Sequence, residues 1–222
     1  MSAFNLQAVF FDLDGTLIDT APDMYAALHT LGLEEQVEIP PFSTVRGYVS
    51  HGTSALIRLG FPDVDAPRFE HLRQRFLQIY AENLHLNTEL FPGMMAVLAY
   101  LEHQGMPWGI VTNKPANLTD PLVRSLGLDT RAVSVVSGDT TDQRKPHPKP
   151  LLLACEQAGI APAQCLYIGD ASRDIEAGLA AGMQTLIALY GYIDNTQQPD
   201  AWGAHGVIHE PRDIVPWLQS YS

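Results

Sequence analysis

The chain reads as a doubly wound, Rossmann-like α/β fold carrying a small all-helical insertion, and three observations support that reading. Short apolar runs alternate with helix-patterned stretches, as in a parallel sheet with helices on both faces. Residues 20–88 interrupt this alternation with helical patterns alone. Polar residues cluster after successive apolar runs, where open parallel sheets bind ligands beyond their carboxyl ends.

The first run, Ala8-Val9-Phe10-Phe11, predicts a buried strand ending at Asp12. Asp12-Leu13-Asp14-Gly15-Thr16 follows. Strand side chains alternate faces, so Asp12 and Asp14 project to one side. Two adjacent carboxylates need a cation or a shared proton, and Gly15 lets the chain turn away. An ordinary polar Asp-Gly turn is the alternative. The preceding apolar strand and the second Asp weigh against it.

Thr20-Ala21-Pro22-Asp23 then resembles a helix start, with Pro in the first turn and an acid three residues on. Helical patterns follow near 21–32, 42–59 and 66–87, the middle one interrupted around Gly47 and Gly52. Glu89 to Gly93 returns the chain to the sheet. The expected organisation is a core from 1–19 and 89–222, with 20–88 inserted as a helical unit.

In the remainder, strands are expected at Ala8–Asp12, Trp108–Thr112, Val133–Ser137, Cys165–Gly169, Gln184–Leu189 and Gly206–His209. Helices are expected near 93–104, 115–126, 149–158 and 172–181, with Pro121 kinking or splitting the second.

Composition narrows the function. The 222 residues carry a net charge of −12, which repels nucleic acid and anionic membrane. No apolar run is long enough to span a bilayer, and the opening residues lack the basic and apolar regions of a signal peptide. A cytoplasmic location is the expectation. Cys155 and Cys165 lack metal-ligand spacing and read as buried free thiols. The eight histidines form no metal-binding spacing. Lysine occurs only at 114, 145 and 149. Lys114 and Lys145 fall in loops near strand ends, where a site could use their charge; solvated loop lysines are the alternative, and the one adopted for Lys149.

The stretches after the strands supply Asp12 and Asp14, then Thr112-Asn113-Lys114, then Arg144-Lys145-Pro146, then Gly169-Asp170 through Asp174. Helix capping by Asp170 or Ser172 explains one such stretch, not four in sheet order. Carboxylates without His or Cys make a hard-oxygen site that favours Mg²⁺. A Thr hydroxyl, backbone N–H groups and a lysine suit phosphate. A carboxylate can also be a covalent nucleophile. A phosphate monoester ~4 Å from an Asp anion is repelled by roughly 6–8 kcal/mol at an effective dielectric of ~20. A dication and a lysine together can offset that.

The ordered set Asp12-x-Asp14-Gly15-Thr16, Thr112-Asn113, Lys145-Pro146 and Gly169-Asp170-x-x-x-Asp174 resembles the four motifs of the haloacid dehalogenase superfamily. The likeness spans residues 8–182, with the helical insert where that superfamily carries its type-1 cap. It implies an aspartyl-phosphate mechanism on a small-molecule phosphate ester. In it Asp12 is the nucleophile, and Asp14 protonates the leaving oxygen and then activates water. Thr112 and the Asn113 backbone hold the phosphoryl oxygens, and Lys145 bridges Asp12 and phosphate. Mg²⁺ would be bound by Asp12, the Asp14 backbone carbonyl and Asp170, with Asp174 direct or through water. Thr16 would orient Asp14.

Within the superfamily, dehalogenases lack an acid at the position of Asp14. Phosphonoacetaldehyde hydrolases and β-phosphoglucomutases need a cap lysine, and residues 20–88 contain none. The cap stretch Val45 to Gly52 is similar to the cap loop of phosphoglycolate phosphatases, but Ser50-His51-Gly52 stands where those usually show Gly-x-Gly. Ser50-x-Gly52, Pro107-Trp108-Gly109, the helix from Lys149 to Cys155, and Tyr190-Gly191-Tyr192-Ile193 look more like N-acetylmuramic acid 6-phosphate phosphatases. Arg46, Ser50, His51 and Gly52 are the expected specificity residues, with solvated helix-end positions the alternative for Arg46 and His51. A non-catalytic phosphoacceptor would use a similar Asp, Thr and Lys set but needs no cap. A dinucleotide oxidoreductase is excluded, since no Gly-x-Gly-x-x-Gly follows a strand.

Overall fold

The computed structural model describes residues 6–220, so the first residues of the stretch examined for a leader lie outside it. β1 (Ala8–Phe11) has every residue buried, as its unbroken apolar run requires of a strand covered on both faces. β4 (Trp108–Val111), β5 (Val135–Val136), β6 (Cys165–Gly169), β7 (Gln184–Ala188) and β8 (Gly206–Ile208) complete its sheet. The order is β5-β4-β1-β6-β7-β8, with every pairing parallel. The chain runs outward from β1 to β5, then crosses back to β6 on the other side. The strand order therefore reverses at β1, and the reversal opens a crevice at its carboxyl end.

Alternation along β1 sorts the helices into two layers. Ala8 and Phe10 pack with residues of α7 (Lys149–Ala158) and α8 (Ser172–Ala181). Val9 and Phe11 pack with α5 (Met94–His103), α6 (Ala116–Ser125) and α9 (Ile214–Gln219). Burying Phe10 and Phe11 completely contributes about 1.5–3 kcal/mol each.

Two expectations for the core are corrected. β5 is only two residues long, because its one sheet partner is β4 and Val133 is already 41% exposed at the edge. Pro121 does not split α6. The carbonyl it deprives of a partner belongs to Asn117, on the exposed side, while Leu118, Leu122 and Val123 hold the helix to the core.

The stretch after β1 forms α1 (Ala21–Glu35), α2 (Phe42–Tyr48), a 3₁₀ turn (Val49–His51), α3 (Thr53–Gly60) and α4 (Ala66–Glu82). β2 (Ile18–Asp19) and β3 (Glu89–Leu90) pair antiparallel at its two ends, a ribbon too short to leave a period in the sequence. The middle helical pattern breaks at Gly52, whose φ of +82° favours glycine, while Gly47 stays helical. α4 ends at Glu82, five residues before the expected 87, and is followed by Asn83, whose side chain donates back to the Ile79 carbonyl (3.1 Å).

Asp23 closes the insert. It is 2% exposed and accepts from Leu86 N, from Asn87 N and Nδ2, and from Thr88 N and Oγ1. The acid expected to serve its own helix start instead ties the returning chain to α1. Its pKa is lowered: burial alone would raise it, but the bonds from Asn87 and Thr88 outweigh that.

Candidate active site

Asp12 follows β1 and is 3% exposed. Its backbone N–H donates to the Ile168 carbonyl, which extends the pairing with β6 to the strand's end. Its Oδ1 accepts from Leu13 N at 2.8 Å and lies 2.9 Å from Lys145 Nζ. Asp170 directly follows β6 and Asp174 lies in the first turn of α8, both fully buried. One oxygen from each of Asp12, Asp170 and Asp174 lies within 4.8 Å of the others.

Lys145 is the hub. Its ammonium donates to Val111 O (2.8 Å) and Tyr167 Oη (2.7 Å), and lies 2.9 Å from Asp12 and 2.7 Å from Asp174 Oδ1. An ammonium has three protons for these four neighbours, so it does not fully serve the carboxylates. Asn113 clamps the backbone of Lys145 in both directions, Nδ2 to its carbonyl (2.9 Å) and Oδ1 from its N–H (3.1 Å).

Asp170 is held by glycine walls and by the insert. Its Oδ2 accepts from Ser50 Oγ (2.6 Å) and Tyr192 N (2.8 Å). A Cβ on Gly15 would come 2.2 Å from Asp170 Oδ2, and one on Gly191 would come 2.3 Å from Asp170 Cβ. Asp170 does not cap α8. Asp174 does, accepting from Ala171 N at 3.0 Å. Burial, then the charges of Asp12 and Asp174, push the Asp170 carboxyl up to about 7. Burial and Asp174 push Asp12 up to about 6, against the pull of Lys145. Such a cluster is strained by its own charge. Its all-oxygen donor set fits a hard dication that would relieve it.

Asp14 lies apart from this cluster. Its Oδ1 accepts from Thr20 Oγ1 (2.7 Å) and Lys114 Nζ (3.0 Å). The expectation that Thr16 orients Asp14 is not met: Thr16 Oγ1 points to Asp170 at 3.5 Å. Thr112 is buried beside them, and its hydroxyl accepts from Lys114 N (3.1 Å), leaving its own proton free to donate.

Asp12, Asp14, Thr112 and Asn113 line one cleft of about 530 Å³ together with Ser50, His51 and Gly52 of the insert. Arg46 does not reach this cleft. It lines a separate hollow of about 400 Å³. There it binds both Asp19 oxygens (2.8 and 2.9 Å) and stacks 4.8 Å over the Tyr192 ring. His51 Nε2 lies 2.7 Å from Asp194.

Some residues of the site had no role in the sequence reading. Arg73, which it did not name, lines the cleft with Arg144 and Arg173, which it named only within the stretches around Lys145 and Asp170, and the three supply positive charge. Arg173 was visible between Asp170 and Asp174. Tyr80 of α4 and Thr20 carried no signal beyond their helical patterns.

Two carboxylates, a buried lysine and an acid cluster that could hold a dication thus stand around one strand end. Residues 9–188 match the family described as haloacid dehalogenase-like hydrolase. The chain belongs to this family. Among its relatives is the N-acetylmuramic acid 6-phosphate phosphatase of Pseudomonas aeruginosa, 41% identical, with 98% of this chain and 97% of that one covered. The phosphoglycolate phosphatase of Xanthomonas campestris pv. campestris is also 41% identical, over 94% of each chain. A crystal structure described as a predicted phosphoglycolate phosphatase from Haemophilus somnus 129PT superposes with a TM-score of 0.86 at 26% identity, over 96% of this chain and 98% of that one.

Proposed function

We propose that this chain hydrolyses N-acetylmuramic acid 6-phosphate through an aspartyl-phosphate on Asp12. The reaction class is phosphoric monoester hydrolysis. The observation that carries the mechanism is the cluster in which Lys145 spans Asp12 and Asp174 beside Asp170.

Asp12 is the nucleophile and takes the phosphoryl group from the ester oxygen. Asp14 gives that oxygen its proton, then takes one from the water that attacks the phosphoenzyme. Thr112 and the Asn113 backbone N–H receive phosphoryl oxygens, and Lys145 offsets charge between Asp12 and phosphate. Asp12, the Asp14 carbonyl, Asp170 and Asp174 would hold Mg²⁺, with Asp174 direct or through water. The ion would supply Lewis-acid stabilisation of the phosphoryl charge. Residues 20–88 act as a cap domain on the 1–19 and 89–222 core. Ser50, His51 and Gly52 border the bound ester, while Arg46 fixes the cap against Asp19. The partner is a small-molecule ester, the net charge of −12 disfavours nucleic acid, and a cytoplasmic setting suits the reaction. Among the described residues no helix is long and apolar enough to cross a membrane.

The substrate assignment draws on the Pseudomonas aeruginosa relative's name and on cleft size. About 530 Å³ suits a substituted hexose better than a two-carbon acid. Phosphoglycolate is the second reading, favoured by the equal identity of the Xanthomonas relative. Measuring kcat/KM on both esters with Mg²⁺ decides between them. The first reading expects a preference of at least about tenfold for the sugar phosphate, and a preference for 2-phosphoglycolate reverses the assignment.

A further inference from the structure

Lys114 is one of only three lysines, and the mechanism above gives it no task. It is 8% exposed at the cleft wall. Its backbone is fixed: N–H to Thr112 Oγ1, and carbonyl accepting from Gly138 N (2.8 Å) and Thr119 Oγ1 (3.2 Å). Its ammonium donates to Asp14 Oδ1 (3.0 Å) from one side and to Tyr80 Oη (2.9 Å) from the other. The ammonium also sits 4.7 Å over the Tyr80 ring. Tyr80 belongs to α4, is 1% exposed and stacks on Phe76. A hydrogen-bonded chain therefore runs from the buried face of the insert to the carboxylate of Asp14.

The two oxygens of Asp14 are not equivalent. Oδ1 takes both donors, Lys114 Nζ and Thr20 Oγ1, and among the described residues no hydrogen bond reaches Oδ2. An oxygen facing two donors is the poor place for a proton, so the transferable proton belongs on Oδ2.

We propose that Lys114, held by Tyr80 of the insert, is a positioning residue that fixes Asp14 so that Oδ2 is the oxygen exchanging protons with the ester and with water. The proposal rests on the phosphatase reading and adds to it. In the first step the Asp14 Oδ2–H bond breaks as the P–O(ester) bond breaks. The proton goes to the departing oxygen, the phosphoryl group to Asp12, and the alcohol leaves neutral. Asp14 becomes an anion with the Lys114 ammonium already against Oδ1. In the second step water forms the new P–O bond and passes a proton to Oδ2, which releases Asp12 and inorganic phosphate.

A leaving group that departs readily as an anion needs no proton, so the test compares two esters of similar bulk. Benzyl phosphate releases an alcohol and p-nitrophenyl phosphate a stabilised phenolate. Wild type, Lys114→Met and Tyr80→Phe are assayed on both with Mg²⁺. Lys114→Met is expected to lower kcat about 100-fold on benzyl phosphate and less than about fivefold on p-nitrophenyl phosphate. Tyr80→Phe keeps the ring on Phe76 and removes only the hydroxyl. It is expected to cost about tenfold on benzyl phosphate and about twofold on p-nitrophenyl phosphate, with KM moving less than about threefold on either. Tyr80→Phe carries the test alone if Lys114→Met does not fold. Equal losses on the two esters, or no loss on benzyl phosphate, overturn the role of Lys114 while the phosphatase reading stands. A wild type inert on both esters and also on N-acetylmuramic acid 6-phosphate and 2-phosphoglycolate overturns the phosphatase reading and this inference with it.

Discussion

The carboxylates after β1 and β6 sit at the ends of strands buried on both faces: Asp12 and Asp174 share the buried Lys145 ammonium, Asp14 meets that of Lys114, and Asp170 accepts from Ser50 and the Tyr192 amide. Arg46, Ser50 and His51 sit around a helix break in the insert, and their partners are Asp19, Asp170 and Asp194. All three of these contacts leave the insert for residues outside it. The core wall of the cleft thus concentrates buried charge, while the polar side chains at the break of the insert reach residues outside it. Removing one partner of a fully buried charge pair costs about 3–5 kcal/mol. A part-exposed pair such as Arg46–Asp19 is worth up to about 1 kcal/mol.

Four experiments test that contrast. Asp12→Asn is expected to lower kcat by about 10⁴-fold or more with the fold intact, read by phosphate release and circular dichroism. Robust turnover would remove Asp12 from its role. Asp23→Ala is next. It leaves the amides of 86–88 without their acceptor and should cost about 3 kcal/mol in denaturant unfolding. The folded pKa of Asp23 is lowered, so its contribution is complete above the ordinary carboxylate value near 3.9 and is lost as pH falls through the folded value. Asp23→Asn should therefore flatten the acid limb of the stability curve. A variant as acid-sensitive as wild type would contradict this.

The acid cluster gives the third. Asp170 and Asp12, at about 7 and about 6, must lose their protons to bind a dication. Mg²⁺ affinity should therefore fall as pH drops below 7, by about tenfold per unit for each proton displaced. Because these folded pKa values are raised, the metal-free protein should lose stability as pH rises from about 4 to 7. Mg²⁺ should reverse that loss, and melting curves with and without chelator read both effects. A Mg²⁺ affinity flat between pH 5 and 8 would contradict the cluster as the ligand set. Arg46→Ala gives the smallest effect, a loss of about 1 kcal/mol in stability and a change of a fewfold in KM. A loss of 100-fold in kcat would move Arg46 from seat to site.

What was legible follows the same division. Asp12 and Asp14 could be read as a pair because a strand has a period of two, and Asp170 and Asp174 because their strand and helix are both strongly patterned. The insert's helices were legible from their periodicity, and its break from Gly52. Which face of α4 meets the core was not, because Tyr80 reads as an ordinary helical aromatic until the fold sets it against Lys114. Nor was the exchange of roles between Thr16 and Thr20, which depends on how the chain turns after Gly15. β2 and β3, at two residues each, are too short for any period.

The most direct test of the account is to quench the enzyme in acid during steady turnover of N-acetylmuramic acid 6-phosphate with Mg²⁺ and to map bound phosphate by peptide mass spectrometry. The account predicts one phosphoryl group, on the peptide containing Asp12, absent from Asp12→Asn. Turnover with no phosphate on the enzyme, or phosphate carried by any other residue, would contradict it.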